Sequence, residues 1–591
     1  MKWTLCLGLT VVVTAGGPSV RAAANGASGA AETAWMPSPA FTQLVDRARG
    51  LSAEPYRDRD LPLPEALARL DYDGHRDIRN QPADFLWHGG DEPFRVQFRH
   101  RGWLFQDEVR LSLVDADANG VQPLPFDAER FTYGPLALDK LDPQTLPGDL
   151  GYAGLALHRV GFETIDGQTA ETFNEFMSIQ GGSYFRAIGH GQHWGSSGRG
   201  VAVNTGLPQP EEFPRWVELW VQRPHPGDES LVLYGLMDGP SVAGAYRFHI
   251  TPGTEDRPTL SMDVRVHLFF RAAVDKLGLA PITSMFLFGE STPARFGDYR
   301  PEVHDADGLL MQHNSGELDW RPLRNPHQTR VSRFEMTDPA GFGLLQRDRN
   351  FNHYEDLETE MQIRPSVWVV PKHFVFRPDP GIVTSNNGGG WGAGWVELFE
   401  IASDDEGIDN IGAYWVPADE ADVGPGSEIE IAYRLDFTQQ PRPIGRELMP
   451  WFASRAMLGD GGEDENEKSL VRTAVDDEAA AGRPVARFVL DTTPDSALPS
   501  GTIVRADVTA YRGEVFGEPI VQYNRFNHAY RLTFDVIAHG PEPVEVRATL
   551  RGATELDRKK EAAPEGTYDG VEDPDVGPPL SENWLYRWDP K

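Results

Sequence analysis

Apolar and polar residues alternate along much of this chain, which is the spacing of β-strands that bury one face and expose the other. The alternation is clearest at Leu260, Met262, Val264, Val266 and Leu268. The same pattern recurs at 94–98, 109–113, 429–437, 504–508, 530–536 and 544–548. Because antiparallel sheets with one buried face produce this pattern, the sequence predicts an all-β fold built from antiparallel sheets.

The segment before these strands instead has the spacing of an amphipathic helix. The apolar residues at i, i+3, i+4, i+7 spacing are Phe41, Leu44, Val45, Ala48 and Leu51. They line one side of a helix, which can then pack against a sheet. The sequence therefore predicts a short helix there and a second one over 64–70.

Two breaks divide the chain into three parts. Residues 1–24 have a lysine, an apolar run and terminal small residues, which together predict a secretory signal peptide. That apolar run is too short to span a membrane. A proline-bearing stretch after the strand at 429–437 predicts a domain boundary near residue 440. Residues 41–440 are then one large domain, and the short, regularly spaced strands of 450–590 predict a smaller immunoglobulin-like β-sandwich.

Composition and charge narrow the possible ligands. The 591 residues include 89 acidic and 55 basic side chains, a net charge of −34 at pH 7. Such a surface repels nucleic acid and anionic lipid, so we expect no nucleic-acid partner and no stable membrane insertion. The one cysteine, Cys6, lies in the predicted signal, and the 16 histidines include no His-x-x-x-His pattern. We therefore expect no disulfide, no cofactor and no catalytic metal.

Two acidic motifs carry the candidate chemistry. Asp305 belongs to His-Asp-Ala-Asp at 304–307, and Asp409 ends an acidic run at 404–409. Cleavage of a glycosidic bond uses one carboxyl group to protonate the leaving oxygen and usually a second to activate water. Two separated carboxylates flanked by apolar residues suit that chemistry. Alternatives stay open: an Asx-rich turn or a weak calcium loop at 304–307, and a solvated acidic turn at 404–409.

Arginines and aromatic residues near these motifs are candidates for substrate binding. They are Tyr184, Trp194, Arg199, Arg347, Arg349 and Trp368. Arginine either binds sugar hydroxyls or forms internal salt bridges, and aromatic rings either stack on sugar faces or fill a core. The first three candidates lie in the glycine-rich stretch 181–200, which predicts a mobile loop suited to a lid over the substrate. A plain flexible connection is the alternative there.

Several short motifs, taken together, are specific to one family. They are Leu-Trp-His (86–88), Gly-Gly-Ser-Tyr-Phe-Arg-Ala (181–187), Gly-Arg-Gly (198–200), Ala-Pro-Ile-Thr-Ser-Met-Phe (280–286), His-Asp-Ala-Asp (304–307), the run at 341–349, Arg-Pro-Ser-Val-Trp (364–368) and Asp-Asn-Ile (409–411). With them the chain resembles the periplasmic glucan biosynthesis proteins G and D (OpgG/MdoG and OpgD). Its secretory signal is closer to the G type. The resemblance is strong over 41–440 and weak beyond.

The resemblance implies both a fold and an activity. It implies a large N-terminal antiparallel β-sandwich joined to a smaller C-terminal immunoglobulin-like β-sandwich. It also implies a periplasmic protein, exported by the general secretory route, that acts on osmoregulated glucans with a β-1,2-linked backbone. Members of this family resemble inverting β-1,2-glucanases or transglycosylases, which are glycoside hydrolase-like enzymes. In them the residue matching Asp409 is the general acid, and the residue matching Asp305 is the general base, acting through a relay of waters and sugar hydroxyls.

The implied partners are β-1,2-glucan and the membrane machinery of glucan synthesis. The alternative function is a non-catalytic glucan-binding accessory protein that assists a membrane glucosyltransferase. The chain departs from the family pattern at an insertion over 373–390 and in the loop at 189–198. We expect the insertion to reshape the cleft or to cover the sheet. If relay groups lie in the loop, it bears on whether water or a sugar hydroxyl is the acceptor.

Overall fold

The alternating segments of the sequence form hydrogen-bonded strands in the computed structural model of the protein. The structure describes residues 38–57, 62–165, 168–378, 384–385, 390–418, 423–440, 451–460, 483–494, 502–553 and 579–590. Strands make up most of the regular structure in these residues, and most of their pairings are antiparallel. The all-β sandwich fold predicted from the sequence is therefore confirmed.

The strands have the following bounds. In chain order they are β1 (Ile78–Asn80), β2 (Phe94–Arg99), β3 (Arg110–Val114), β4 (Val121–Leu124), β5 (Phe131–Tyr133), β6 (Gly154–Ile165), β7 (Gln168–Gln180), β8 (Tyr184–Ala187), β9 (Ser197–Arg199), β10 (Ala202–Val203), β11 (Arg215–Gln222), β12 (Leu231–Asp238), β13 (Val242–Thr251), β14 (Leu260–Phe270), β15 (Leu277–Ser284), β16 (Phe286–Phe288), β17 (Val303–His304), β18 (Gly308–Gln312), β19 (Leu318–Pro322), β20 (Arg330–Thr337), β21 (Gly341–Leu345), β22 (Ser366–Arg377), β23 (Thr384–Ser385), β24 (Ala393–Glu400), β25 (Ile411–Pro417), β26 (Glu428–Thr438), β27 (Trp451–Asp460), β28 (Val485–Pro494), β29 (Ile503–Tyr511), β30 (Gly513–Asn524), β31 (Ala529–Ala538), β32 (Val544–Ala553) and β33 (Asn583–Trp588).

The helices are few and short. They are α1 (Pro39–Ser52), α2 (Glu65–Ala68), α3 (Tyr72–Arg76), α4 (Pro135–Leu138) and α5 (Phe351–Tyr354), with 3-10 turns at Pro82–Asp84, Ala128–Arg130, Pro143–Thr145 and Met361–Ile363. Ser38 caps helix α1: its hydroxyl accepts the Phe41 amide N–H at 3.2 Å, a donor that has no partner within the helix. Its apolar face packs on Trp220, Tyr234 and Phe269 of the sheet below, as the helical spacing predicts. Among the described helices, none has the length and apolar character that crossing a membrane requires.

Two large sheets organise the described residues. One has ten strands in the order β2-β6-β7-β8-β9-β15-β25-β24-β20, with β10 added on β15. The other has fifteen, in the order β29-β32-β33-β19-β18-β21-β22-β26-β14-β13-β12-β11-β3-β4, with β23 added on β22. A separate four-stranded sheet has the order β27-β28-β31-β30, and the pairs β1-β5 and β16-β17 are small ribbons.

The main hydrophobic core lies between the two large sheets. It combines side chains such as Leu157 and Ile282 from the ten-stranded sheet with Phe248 and Val264 from the other. Strand β14 buries every second side chain along most of its length, which is the alternation read from its sequence. Each fully buried apolar side chain contributes about 1.5–3 kcal/mol, so this core stabilises the sandwich that carries the site.

A second core continues from the same sheet. It lies between the four-stranded sheet, with Phe488 and Phe534, and the β29-β32-β33-β19-β18 end of the fifteen-stranded sheet. Strand β18 is buried on both faces, because Leu309 belongs to the main core and Leu310 to the second core. A continuous apolar run, rather than an alternating one, is what such a strand requires.

Some predicted features fall outside the described residues. The signal peptide at 1–24 does so completely, and the predicted boundary near residue 440 is followed by 441–450, which also lie outside them. Of the predicted insertion at 373–390, the first residues continue β22 and Thr384–Ser385 form β23, which pairs with it. Residues 379–383 and 386–389 of the insertion are not among the described ones.

Candidate active site

The end of strand β15 positions both acidic motifs. The Thr283 hydroxyl donates to Asp409 Oδ2 at 2.9 Å. The Asn410 side chain accepts the Phe286 amide N–H at 2.8 Å and donates to the Phe286 carbonyl at 2.9 Å. On the other motif, the Asp305 amide N–H donates to the Met285 carbonyl at 2.8 Å. Residues 283–286 therefore contact both acidic motifs, through the Thr283 side chain and the backbone of Met285 and Phe286.

A β-bulge in β15 sets the direction of this segment. Pairing with β25 shifts register between Leu279 and Ile282. Within the shift, Ala280 has a φ of 48° and is followed by Pro281. Proline cannot donate to the ladder, and a non-glycine residue at positive φ is rare, so both residues fit a bulge better than a regular strand. The bulge immediately precedes Thr283, whose hydroxyl donates to Asp409.

Asp409 lines an open cleft of about 720 Å³. The other lining residues combine rings, charges and small polar groups: Arg99, Phe105, Glu175, Ser178, Gln180, Gly181, Tyr184, Phe185, Arg186, Trp194, Ser197, Gly407 and Ile408. A cavity of this size with a mixed lining is typical of a site for an organic ligand of several rings.

The Asp409 carboxylate is held between a hydroxyl and a guanidinium. Its Oδ1 lies 3.5 Å from Nη2 of Arg186, and its side chain is 22% exposed. The Arg186 Nε in turn donates to the Ser197 hydroxyl at 2.9 Å. One carboxyl oxygen is thus fixed by Thr283, while the other faces a half-exposed cation at the cleft. This arrangement can exchange a proton with a bound ligand while the carboxyl group keeps its orientation.

Asp305 has a different environment, since it is buried and forms an ion pair with Arg364. Burial raises the pKa of the Asp305 carboxyl, Arg364 opposes that rise, and the charge of Asp409 adds to it. The carboxylates of Asp305 and Asp409 therefore lie close enough for their charges to interact. Of the two, Asp409 lines the cleft and Asp305 is not among its lining residues.

The histidine before Asp305 lies in a buried polar network. His304 Nδ1 is 3.0 Å from Gln346 Oε1, and its Nε2 is 2.9 Å from Glu302 Oε2. The Gln346 amide nitrogen donates elsewhere, to the Tyr354 hydroxyl and two carbonyls, which fixes Oε1 as the acceptor. Both ring nitrogens therefore face acceptors, as an imidazolium requires. His304 also stacks on Phe286 at 5.2 Å, next to the segment that holds Asp409.

Comparison with known proteins assigns the family. A family model described as "Periplasmic glucan biosynthesis protein, MdoG" matches residues 40–558, most of the chain.

The chain belongs to the MdoG family.

Similar proteins of this family carry both G and D names. The chain is 36% identical over 548 residues to "Glucans biosynthesis protein G" of Shewanella sp. (strain W3-18-1), a match that spans 92% of this chain and 86% of the relative. It is also 36% identical over 596 residues to "Glucans biosynthesis protein D 1" of Ralstonia nicotianae, which spans 96% of both chains. Identity alone therefore does not separate the G type from the D type.

The predicted binding residues of this MdoG-family chain lie in different places. Tyr184 and Trp194 line the cleft with Asp409. Arg199 is buried behind them, where it pairs with Glu211 and lies 5.3 Å from the centre of the Tyr184 ring. It supports the cleft wall and is not among the lining residues.

The other three predicted binding residues lie away from the cleft. Arg347 forms a buried ion pair with Glu582, and Arg349 donates to backbone carbonyls at 362 and 364. Trp368 is buried in the second core. Tyr184 and Trp194 thus line the cleft with Asp409, whereas these three residues are not among its lining residues. Of the three, Arg349 donates to the carbonyl of Arg364, the residue that pairs with Asp305.

The glycine-rich loop of the MdoG-family chain is packed over Arg364. The His193 amide N–H donates to the Ile363 carbonyl, and a Cβ placed on Gly195 would lie 2.9 Å from that of Arg364. The loop therefore covers the Arg364–Asp305 ion pair, and glycine at 195 permits the close approach. That the loop moves as a lid stays a prediction.

Sequence reasoning missed four residues that hold the acids: Arg186, Thr283, Arg364 and Asn410. Each belongs to one of the short motifs, at 181–187, 280–286, 364–368 and 409–411. Their presence in these motifs is the signal that was available. Its partner, however, lies more than 50 residues away in every case.

Two groups of described residues have the donor atoms for a cation. They are Glu302, His304 and Asp307, and Glu302, Asp348 and His353, with ligand atoms within 4.8 Å of one another. Asp307 already accepts the amide N–H groups of Arg347 and Asp348. A protonated His304 also cannot ligate a metal ion. The absence of a catalytic metal in this MdoG-family chain stays a prediction.

The His304 network predicts that stability falls as pH rises. Burial alone lowers the pKa of the His304 imidazole, but Asp307 and then Glu302 outweigh it and raise that pKa to about 9. Burial also raises the pKa of nearby Glu290 to about 8, and the charges of Glu302 and Asp307 add to that rise. Both groups bind protons more tightly in the folded chain than in the unfolded one. The contribution of His304 is therefore complete below about pH 6.5 and is lost as pH rises through 9.

We expect the free energy of unfolding to fall between pH 6.5 and 9, with up to about 3 kcal/mol of that loss due to His304. Melting temperatures measured across this range test the expectation. His304→Gln should be less stable at pH 6.5 and should lose less stability on going to pH 9. A parallel decline in the variant and the parent would contradict the assigned role of His304.

Proposed function

We propose that the protein acts in the periplasm on glucans with a β-1,2-linked backbone, as an inverting glucanase or a transglycosylase. Membership of a family of periplasmic glucan biosynthesis proteins supports the substrate and the compartment. The observation that carries the chemistry is the Asp409 carboxyl group, half-buried in a cleft with aromatic walls and near a second, buried carboxylate. Export by the general secretory route, through the signal at 1–24, is part of the proposal.

Asp409 is the general acid in this proposal. Thr283 holds one of its oxygens, and the other faces the cleft, where the leaving glycosidic oxygen would accept the proton. Once the proton has left, the Arg186 guanidinium 3.5 Å away stabilises the resulting carboxylate. The carboxyl group thus has a fixed direction and a nearby cation for its charged form.

Asp305 is the general base. Burial raises the pKa of the Asp305 carboxyl, which suits a group that has to take up a proton, and the ion pair with Arg364 opposes that rise. Because Asp305 is buried and not among the residues that line the cleft, we infer that it withdraws the proton from the acceptor through intervening waters or sugar hydroxyls. If the acceptor is water, the glucan is hydrolysed; if it is the hydroxyl of another glucan, a chain is transferred.

One observation favours a second candidate, a glucan-binding accessory protein that assists a membrane glucosyltransferase. Asp409 lies beside Arg186 in an ion pair, and an ionised carboxyl group has no proton to deliver. If that pair persists when glucan is bound, the cleft binds sugar without chemistry. The membrane machinery of glucan synthesis would then be the partner that uses the bound chain.

Incubation of the purified protein with linear β-1,2-glucan tests the proposal. We expect new reducing ends under hydrolysis, or a changed distribution of chain lengths with no new ends under transfer. The anomeric configuration of the first product, followed by NMR, should be inverted relative to the substrate. Measurable binding with no change in the glucan would refute the enzyme and favour the accessory protein.

A further inference from the structure

A row of aromatic rings continues the cleft beyond its mouth. Phe105 lines the cleft that contains Asp409. Its ring centroid lies 5.8 Å from that of Trp103, which lies 5.4 Å from that of Tyr72. We call these three residues the aromatic platform. It runs from the cavity onto the outer surface, because Tyr72 is 53% exposed.

The platform rests on a tight turn with an unusual backbone. Trp103 has a φ of 53°, in the left-handed region that costs a non-glycine residue roughly 1–2 kcal/mol. The amide N–H and carbonyl groups of Gly102 and Phe105 bond to each other on either side, at 3.0 and 2.9 Å. The Trp103 amide N–H donates to the Leu67 carbonyl, and the Gln106 amide donates to the Trp103 carbonyl. Surrounding bonds thus maintain a strained conformation that presents a large ring, and such strain is concentrated at functional sites.

The turn also exposes an apolar side chain to solvent. Leu104, at its tip, is 73% exposed. Arg101 at its base is buried and donates to the carbonyls of Gln106 and Leu150, so the turn is anchored rather than loosely attached. Exposed apolar side chains on a firmly held turn next to a cleft are characteristic of a binding surface.

Polar groups flank the rings where the platform meets the cleft. The Arg99 guanidinium donates to Glu175 at 2.7 Å, and both side chains line the cleft with Gln180. Rings that cover apolar C–H faces, together with nearby donors and acceptors for hydroxyls, are what a neutral carbohydrate requires. The net charge of −34 disfavours a polyanionic ligand on the same surface.

We propose that the aromatic platform of Tyr72, Trp103 and Phe105 is a distal binding subsite for the part of a glucan chain that extends beyond the cleft. This inference rests on the proposed function, since it takes glucan as the ligand. The platform is continuous with the cleft through Phe105, so a chain long enough to fill the cavity passes onto Trp103 and then Tyr72. The aromatic platform makes the affinity for glucan depend on chain length and leaves the chemistry at Asp409 unchanged.

The test measures binding separately from catalysis. Linear β-1,2-glucans of graded length are titrated calorimetrically into the full mature chain carrying Asp409→Asn, which removes turnover. Tyr72→Ala and Trp103→Gly are added singly to this background. Glycine adopts the left-handed conformation at 103 freely, so this change removes the ring without backbone strain. Phe526→Ala is the control, because Phe526 is 84% exposed at a turn of the C-terminal strands.

We expect each platform variant to lose roughly three- to tenfold in affinity for long chains. Affinity for chains short enough to lie within the cleft stays at the parent value, and Phe526→Ala changes neither. Equal losses for short and long chains, or no loss for long chains, would overturn the platform as a distal subsite. Melting temperatures of all variants identify any that lose binding by unfolding. Tyr72→Phe, which retains the ring, must bind long chains as the parent does.

The two proposals fail in different ways. Length-dependent binding that requires the platform, in a wild-type protein that leaves glucan unchanged, overturns the enzyme and retains the subsite. Turnover by the wild type, together with platform variants that bind long chains as tightly as the parent does, overturns the subsite and retains the enzyme. If the parent binds no β-1,2-glucan of any length, both are overturned.

Discussion

Asp409→Asn is expected to lower the turnover of linear β-1,2-glucan by roughly 10²–10⁴-fold, the contribution of a positioned general acid. The amide has the shape of the carboxyl group, and its oxygen still accepts the Thr283 hydroxyl, so the cleft keeps its geometry. What it lacks is a proton that can be given to the leaving oxygen. We expect the affinity for glucan and the melting temperature to remain close to those of the wild type.

Initial rates of reducing-end formation, or of chain redistribution, measure this effect. Asp404→Asn is a matched control, because Asp404 lies in the same acidic run. Its side chain is 74% exposed, and its contact with the Arg295 guanidinium is long, at 3.8 Å. The control should retain the wild-type rate. Turnover by Asp409→Asn within a few-fold of the wild type would remove Asp409 from the role of general acid.

Arg347→Met is expected to lower the free energy of unfolding by about 3–5 kcal/mol, because it leaves Glu582 charged, buried and unpaired. The Arg347 guanidinium donates two hydrogen bonds to Glu582, at 2.6 and 2.9 Å, and lies 3.5 Å from the centre of the Trp320 ring. Glu582 also accepts the Ala453 amide N–H at 2.9 Å. The pair therefore joins strand β27 and the residue before β33 to Arg347, two residues after the end of β21.

Denaturant unfolding of single and double variants measures the pair. Adding Glu582→Gln to Arg347→Met should restore part of the stability, since glutamine is neutral and still accepts the Ala453 N–H. Arg257→Met is the control for an exposed pair: Arg257 and Glu229 are both about two-thirds exposed, and removing such a pair changes stability by less than about 1 kcal/mol. A raised KM with unchanged stability in Arg347→Met would instead identify Arg347 as a substrate ligand.

The sequence predicted the strands well because their signal is local. The alternation at 260–268 became β14 (Leu260–Phe270), and that at 429–437 became β26 (Glu428–Thr438). Alternation requires only that one face of the strand is covered by another layer, whichever strands it pairs with. Which strands pair is not local, and the parallel pairing of β3 with β11 or of β19 with β33 has no signature in either segment.

The candidate site was predictable only as far as its motifs reached. The short motifs pointed to Asp305 and Asp409, and aromatic character pointed to Tyr184 and Trp194, which line the cleft with Asp409. Arg347 illustrates the limit. An arginine beside an aspartate reads equally as a sugar ligand or an internal ion pair, and its partner Glu582 lies 235 residues away. Burial and partner, which separate the two interpretations, are properties of the folded chain.

Residues 283–286, which contact the Asp409 carboxyl group and the main chain of Asp305, have a consequence for how such a protein diversifies. The reacting groups depend on one strand end, whereas the walls of the cleft come from other segments, such as the Phe105 turn and the loop that bears Trp194. If the proposed function holds, reaction chemistry and preferred glucan length are encoded in separable stretches of the gene. Natural drift, or the transplantation of a turn between homologues, would then change the preferred chain length while the two aspartates are inherited intact.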